Sequence, residues 1–266
     1  MRARLERAAP VLVLLLALAA ALPAQAGQGC REEPLSVEEV RQSLALAQRT
    51  FAALDASGAS VAVIARVGQD LSKYGVEYSH MGIVVRDHAA GRWSVVHELN
   101  TCGTAASDLY VDGVGNFFLT DLYRYRAQVV IPGPELQARV AALLAGRTSR
   151  RLHESHYNML AYVYSTRYQN SNQWVLETLA AASAPPGAVE TRAEAQSWLR
   201  TQGYRVPTVH VDALARLGGR MFRANVAFDD HPFDRRMAGQ IDTVTTDAVA
   251  NFVRGRDPQA RVFVVE

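Results

Sequence analysis

The sequence lacks an excess of charge of either sign. Its 266 residues carry 28 basic and 26 acidic side chains, which gives a formal net charge of +2 at pH 7. The first 26 residues, where a leader is expected, hold three arginines and one glutamate, so the rest of the chain is near neutral. Nothing in this balance points to nucleic acid or to an anionic membrane surface as a partner.

Long apolar runs are also missing after residue 22, as are internal repeats and low-complexity tracts. We therefore expect no transmembrane segment in the mature chain, because a spanning helix needs about 20 apolar residues. The part from Gly27 to Glu266 is predicted to be a single domain, with a core over about 60–185 and a C-terminal helical or irregular extension over about 188–266.

The N-terminus has the features of a cleavable export signal. Three arginines within residues 2–7 precede an apolar run over 11–22, and Pro23 and Ala24-Gln25-Ala26 follow it. Small residues at these positions are typical of a signal peptidase site, so we predict a signal peptide over 1–26 and a periplasmic or secreted protein. An uncleaved membrane anchor and a lipoprotein attached through Cys30 are the alternatives.

Cysteine is scarce, with Cys30 and Cys102 as the only two in the chain. In an oxidising compartment an even pair predicts a disulfide bond, here between Cys30 and Cys102. The alternative is that Cys102 is a catalytic thiol.

The patterning predicts an α+β fold, with a small central antiparallel sheet flanked by helices. Capping boxes at Ser36–Glu39 and Thr191–Glu194 predict two helix starts. The expected strands are 61–67, 81–86, 93–99, 128–131 and 261–265. The expected helices are about 36–54, 134–144, 157–164, 170–182, 191–202 and 245–253. A polar and aromatic segment over 222–234 has no clear period, and it could form a substrate wall or a packed loop.

Two histidines lie on a predicted hairpin. His80 begins an apolar strand, and His97 follows on the partner strand, so alternation can bring both to one face. Gly82 between them would allow another chain segment to approach closely. Such a pair can act as a base and its orienting residue. The alternatives are two structural histidines, or a metal site made with Glu98 or Asp108.

A serine stands where a helix begins. Ser171 follows Asn170 and precedes Asn172. Backbone N–H groups at a helix N-terminus can stabilise an oxyanion and activate a nucleophile. The alternative is that these residues only cap the helix, since Asn170 and Gln173 match a capping pattern.

Together the segments 78–85, 95–99 and 170–175 resemble the circularly permuted branch of the NlpC-type papain-like superfamily, which includes lecithin:retinol acyltransferase-like and YiiX-like proteins. The segments 78–82, 99–104 and 170–177 also resemble a family of bacterial exported proteins known only as a domain of unknown function. The superfamily resemblance covers about residues 60–185 and implies a papain-like fold.

The resemblance also implies site residues. His80 would be the base, His97 its orienting residue and Ser171 the nucleophile, while Asn170, Asn172 and Tyr78 would line the oxyanion site and the cleft. The superfamily has cysteine at the position of Ser171, so the substitution leaves two functions open. One is an amide or ester hydrolase or acyltransferase, acting without a cofactor or metal on an envelope peptide, glycan or lipid. The other is an inactive relative that binds such a molecule.

Overall fold

The structure is a computed structural model, and it describes residues 34–120 and 122–266. The predicted signal peptide and Cys30 lie outside the described residues, so the leader, the export and the Cys30–Cys102 bond stay predictions. Cys102 is exposed in the turn that follows the third strand. No helix in the described ranges combines the length and the apolar character that a bilayer span requires.

The described chain alternates between helices and strands. The strands are β1 (Val61–Val67), β2 (His80–His88), β3 (Gly91–Asn100), β4 (Ser107–Gly113), β5 (Arg124–Ile131), β6 (Thr208–His210), β7 (Gln240–Asp242) and β8 (Arg261–Val265). The α-helices are α1 (Val37–Ser57), α2 (Val114–Phe118), α3 (Pro134–Ala145), α4 (Thr148–Arg151), α5 (Ser171–Ser183), α6 (Arg192–Thr201), α7 (Ala213–Phe222), α8 (Phe233–Met237) and α9 (Thr246–Arg256).

Six of the strands form one antiparallel sheet in the order β4-β3-β2-β1-β5-β8. β6 and β7 form a separate small sheet. The predicted α+β class with an antiparallel sheet is therefore confirmed. The predicted hairpin is β2 and β3, in which Ile83 lies opposite Val96.

Helices cover both faces of the six-stranded sheet. On one face Met81 and Ile83 of β2 pack in a buried cluster with Trp174 of α5. On the other face Val84 of β2 packs in a second cluster with Phe117 of α2 and with residues of α1. Because side chains alternate along a strand, each residue of β2 belongs to one of these two layers.

Both predicted capping boxes begin helices. The Ser36 hydroxyl accepts a hydrogen bond from the Glu39 N–H at 3.2 Å, and the Glu39 carboxylate accepts one from the Ser36 N–H at 2.6 Å. Thr191 and Glu194 make the same reciprocal pair at the start of α6. These bonds satisfy N–H groups that have no partner within the helix.

The predicted helix over 157–164 is wrong, because this segment is irregular. Its polar groups bind other parts of the chain instead of each other. The Asn158 amide donates to the Ala227 carbonyl oxygen and accepts from the Ala227 N–H, at 2.9 and 3.1 Å. The Tyr162 N–H donates to Asp230 at 2.8 Å. These long-range bonds hold the segment against the C-terminal part of the chain.

The C-terminal part also joins the central sheet. The predicted strand 261–265 is β8, which pairs with β5 and places Val265 opposite Ala127. In addition, the buried Thr246 hydroxyl donates to the Tyr78 carbonyl oxygen at 2.8 Å. The residues after 187 are thus tied to the predicted core both near its start, at Tyr78, and in its middle, at β5.

Candidate functional site

His80 and His97 lie on the same face of the sheet. His80 is the first residue of β2, and its backbone pairs with Arg66 of β1. The rings of His80 and His97 are 5.2 Å apart, and the Phe117 ring of α2 lies 5.8 and 5.4 Å from them. Gly82 is required here, because an added Cβ would lie 2.9 Å from the His97 Cβ and 2.6 Å from Val95 Cγ1. The predicted close approach at Gly82 is therefore present.

Ser171 is the first residue of α5, a helix on the opposite face. Its hydroxyl meets His80 because His80 stands at the very start of β2. The preceding residue, Asn170, accepts a hydrogen bond from the Gln173 N–H at 2.8 Å and so caps the helix. Ser171 retains only 5% of its exposed surface.

Three hydrogen bonds connect four side chains in a continuous series. Ser171 Oγ lies 3.0 Å from His80 Nδ1, and His80 Nε2 lies 2.9 Å from His97 Nδ1. His97 Nε2 lies 2.9 Å from Asp112 Oδ2 on β4. The structure therefore brings together the three residues predicted from sequence and adds Asp112.

This series assigns the tautomers by hydrogen-bond logic. The Asp112 carboxylate can only accept, so His97 Nε2 carries a proton and neutral His97 offers Nδ1 as an acceptor. His80 must then donate from Nε2, which leaves its Nδ1 free to accept from the Ser171 hydroxyl. Every bond in the series agrees with a neutral His80 ready to take the hydroxyl proton.

The environment favours neutral imidazoles. Burial lowers the pKa of His80 well below its ordinary 6.5, and the charge of Arg66 and the proximity of His97 add to the shift. Burial also lowers the pKa of His97 to about 4, although Asp112 opposes this through its hydrogen bond and its charge. A neutral histidine beside a hydroxyl is the protonation state that a general base requires.

Arg66 supplies a positive charge close to the two histidines. Its guanidinium lies 4.8 Å from the centre of the Phe117 ring and donates to the Phe117 carbonyl oxygen. Burial lowers its pKa to about 10, while the charge of Asp112 acts in the opposite direction. Arg66 and Asp112 thus have opposing effects on the charge that His97 would acquire.

Tyr157 approaches the serine from the loop before α5. Its ring is buried, and hydrogen bonding from the side chain and the backbone of Ser171 acts to lower the pKa of its hydroxyl. Burial raises the pKa of Tyr157 above its ordinary value of 10, so the phenol keeps its proton at neutral pH. A neutral phenol can donate a hydrogen bond to a nearby oxygen.

The three predicted oxyanion and cleft residues occupy different surroundings. The Asn170 amide is already engaged, since its Nδ2 donates to Thr243 Oγ1 at 3.0 Å while its Oδ1 caps α5. Asn172 and Tyr78 instead line a cavity of about 650 Å³. Among the described residues neither Asn172 Oδ1 nor the Tyr78 hydroxyl has a hydrogen-bond partner.

The residues of the alternative metal site lie apart or are engaged. All four ring nitrogens of His80 and His97 have hydrogen-bond partners within the series from Ser171 to Asp112. Glu98 is next to His97 in sequence, so alternation directs it to the other face, where it accepts from Ser107 Oγ at 2.9 Å. Burial raises the pKa of Glu98 to about 8. Asp108 lies on β4 and pairs with Leu99 of β3, which is two residues beyond His97.

Sequence reasoning missed Asp112, Arg66, Phe117 and Tyr157. Asp112 was missed because β4 was not predicted. A predicted strand over 107–113 would have placed Asp112 opposite Val95, on the face of the sheet that carries His97. For Tyr157 no local pattern could have served, because its position depends on the irregular loop before α5.

Comparison with known proteins gives one match. A family model described as "Uncharacterized protein conserved in bacteria (DUF2145)" matches residues 53–253, which include every residue of the hydrogen-bonded series. No curated protein and no solved structure matches the chain. Since the family model spans most of the sequence, the chain belongs to the DUF2145 family of bacterial proteins.

Proposed function

We propose that this protein is a hydrolase or acyltransferase that cleaves an amide or ester with Ser171 as its nucleophile. The observation that carries this proposal is the continuous series Ser171–His80–His97–Asp112, with distances of 3.0, 2.9 and 2.9 Å. A serine, a base and an oriented support for that base form the arrangement that activates a hydroxyl.

The reaction would proceed in two halves. Ser171 Oγ attacks the carbonyl carbon while its proton passes to His80 Nδ1, and His80 then gives that proton to the departing alcohol or amine. Water, or another hydroxyl or amine, attacks the resulting acyl ester and restores Ser171. His97 and Asp112 act as positioning residues that keep His80 Nδ1 free.

The developing oxyanion would be met by the start of α5. Asn172 supplies a backbone N–H group in the first turn of this helix, which has no acceptor within it. The neutral Tyr157 hydroxyl lies beside Ser171 and adds a second donor. The Asn170 side chain is committed to its cap, so it is not part of this proposal.

Two further parts of the proposal concern the superfamily and the substrate. The order of these residues along the chain supports the first. A base on a strand, an orienting residue on the next strand and a nucleophile at a later helix start follow the pattern of the circularly permuted NlpC-type proteins. If the predicted leader directs export, the substrate is an amide or ester of the cell envelope.

A serine-directed fluorophosphonate probe tests the nucleophile. We expect covalent labelling, located at Ser171 by peptide mass analysis, and loss of this label in Ser171→Ala. His80→Gln should slow labelling by about 10²–10⁴-fold, the contribution typical of a general base. Ser183→Ala, at the other end of the same helix, is the matched control and should label like wild type.

The inactive alternative makes the opposite prediction. In a binding protein without catalysis, the probe would label Ser171 of wild type no faster than Ser171 of His80→Gln. Circular dichroism would show that the unlabelled wild-type protein is folded. That outcome would overturn the proposed hydrolase or acyltransferase.

A further inference from the structure

Helix α7 carries its large apolar side chains on the outside. Leu214, Leu217 and Met221 follow one another at spacings of three and four residues, which places them on one helix face. Their exposed fractions are 79%, 56% and 56%. Helices in globular domains ordinarily turn such residues toward the core. In α7 these residues instead point away from the core, so the outer face of the helix is apolar.

Small residues of α7 face the cavity instead. Ala215, Gly218 and Gly219 form part of the wall of the 650 Å³ cavity. A Cβ added at Gly218 would meet nothing within 4 Å, so this glycine leaves space open. A cavity of this size lies within the range of small-molecule sites, about 300–1,000 Å³.

The rest of the cavity wall is mixed, with polar and charged residues such as Gln69, Asp70 and Lys73 beside a set of apolar ones. Asn172, the neighbour of Ser171, is also one of the lining residues. The apolar residues of the wall include Met159, Leu160, Val209, Val211, Val226 and Phe228. An apolar stretch of wall in a cavity that adjoins a proposed acyl-transfer site suits an aliphatic chain.

Helix α7 and the turn after it carry three arginines, and Asp229 and Asp230, which follow this turn, are engaged with Arg167 and with the Tyr162 N–H. Between Ala213 and Phe228 the sequence has Arg216, Arg220 and Arg223 and no acidic residue. Asp212, just before the helix, accepts from the Ala215 N–H at 2.8 Å as its cap. An apolar helix face combined with arginines is typical of helices that lie in the interface of an anionic bilayer.

Helix α8 extends the same surface. Phe233 and Met237 have exposed fractions of 69% and 59%. Met237 lies with Ala213 and Arg216 around a shallow depression, so the two helices are neighbours. A second copy of this chain is a poorer occupant than a bilayer, since a symmetric contact would bring like charges together.

We propose that α7 and α8 dock on an anionic lipid bilayer and that the cavity beneath α7 binds the aliphatic chain of a membrane-derived molecule. The step in which an ester or amide of that molecule reaches Ser171 rests on the proposed function. The docking and the binding of the chain do not depend on catalysis.

Docking is tested with the full mature protein carrying Ser171→Ala. We expect it to sediment with vesicles of phosphatidylglycerol and phosphatidylcholine at low salt, and at least about tenfold less with phosphatidylcholine alone. Leu217→Glu should weaken the association by about tenfold or more, because it removes an apolar side chain and adds repulsion. Leu44→Glu makes the same change at an exposed leucine of α1 and should have no effect.

The results that overturn docking are equally definite. Absence of vesicle association, or equal effects of Leu217→Glu and Leu44→Glu, contradicts it. A change of oligomeric state in Leu217→Glu, measured by sedimentation velocity, would show that a second copy covers this face instead.

Chain binding is measured with a fluorescent fatty acid in the Ser171→Ala background. Gly218→Leu fills the cavity and should weaken binding by about tenfold or more, whereas Gly255→Leu, an exposed helical glycine with open space around it, should not. Equal affinities in the two variants overturn the cavity as the site. If fluorophosphonate leaves Ser171 unlabelled while both assays succeed, only the proposed catalysis fails.

Discussion

At the residue scale, the partner of one histidine nitrogen decides what the other nitrogen can do. Asp112 accepts from His97 Nε2, and this single contact sets the direction of every bond as far as Ser171. The sequence pattern predicted His80, His97 and Ser171 as neighbours, because strand alternation and a helix start are local signals. It missed Asp112, whose place beside His97 depends on the pairing of β3 with β4, a strand that was not predicted.

Asp112→Asn tests this direction. An amide can donate to His97 Nε2, which would move the His97 proton to Nδ1 and the His80 proton to the nitrogen that faces Ser171. We expect fluorophosphonate labelling to fall by about 10²–10⁴-fold with little change in thermal stability.

The control is Asp108→Asn, since Asp108 lies on the same strand opposite Leu99. Labelling at the wild-type rate in Asp112→Asn would show that the series does not set the tautomer of His80.

Glu98 predicts a specific dependence of stability on pH. Burial raises its pKa from 4.5 to about 8, so the folded protein holds the proton more tightly than the unfolded chain. Its stabilisation is complete below about pH 4.5 and is lost as the pH rises through 8. Between these two pH values the free energy of unfolding falls by at most about 1.4 kcal/mol per pH unit.

Glu98→Gln keeps the acceptor for Ser107 and cannot ionise. The free energy of unfolding, measured by urea titration from pH 5 to 8, should therefore fall less with pH in Glu98→Gln than in wild type. His97 acts in the opposite sense, since its contribution is present above pH 6.5 and is lost as the pH falls through about 4. Glu135→Gln, on the exposed surface of α3, controls for the loss of a carboxylate, and parallel curves for wild type and Glu98→Gln would refute the assignment.

At the element scale, periodicity predicted five of the helices and five strands of the sheet, but it missed β4 and wrongly gave a helix over 157–164. Apolar and aromatic residues at helical spacing are present there, yet the backbone binds residues 225–242 instead. Contacts between segments some 70 residues apart have no local signature. The same holds for α7, whose exposed apolar face contradicts the usual rule for amphipathic helices.

A buried ion pair holds the loop just before Ser171 in place. Glu177 of α5 is fully buried and accepts from Arg192 Nε at 2.8 Å. Arg192 also donates to the carbonyl oxygens of Thr166 and Tyr168, both at 2.9 Å. The pair connects α5, α6 and the loop before Ser171. It therefore fixes the position of the helix start that carries Ser171.

Arg192→Met should therefore destabilise the protein by about 3–5 kcal/mol, because it leaves Glu177 buried without its partner. Combining it with Glu177→Gln should recover part of this loss. Arg151→Met, which removes an exposed pair with Glu190, is the control and should cost less than about 1 kcal/mol by the same urea titration. Equal losses in the two single variants would contradict the structural role of Arg192.

At the scale of the whole molecule, net charge and local charge point to different partners. A near-neutral total gave no indication of an anionic surface, yet Arg216, Arg220 and Arg223 lie on or directly after α7, whose outer face is apolar. A sum over the chain cannot detect such a cluster, because the balancing acids lie on other elements. The α+β class, by contrast, follows from patterning spread over the entire chain.

The predicted disulfide also belongs to this scale, since it would join the N-terminal tail to the turn after β3. Without reductant, we expect the intact mass of the exported protein to be lower by two hydrogens, and a tryptic peptide pair to contain Cys30 and Cys102. Cys102→Ser should lose about 2–4 kcal/mol of stability. Two thiols that react with iodoacetamide in the unreduced, unfolded protein would exclude the bond.

The place of β8 in the sheet has a consequence for how the protein is made. β8 is an edge strand formed by residues 261–265, and it pairs with β5 from the middle of the chain. The sheet therefore cannot be completed until residues 261–265 have left the ribosome, long after β1 to β5 have emerged. During that interval β5 lacks its neighbour on this side, so the order of synthesis leaves a strand edge of the sheet open until β8 arrives.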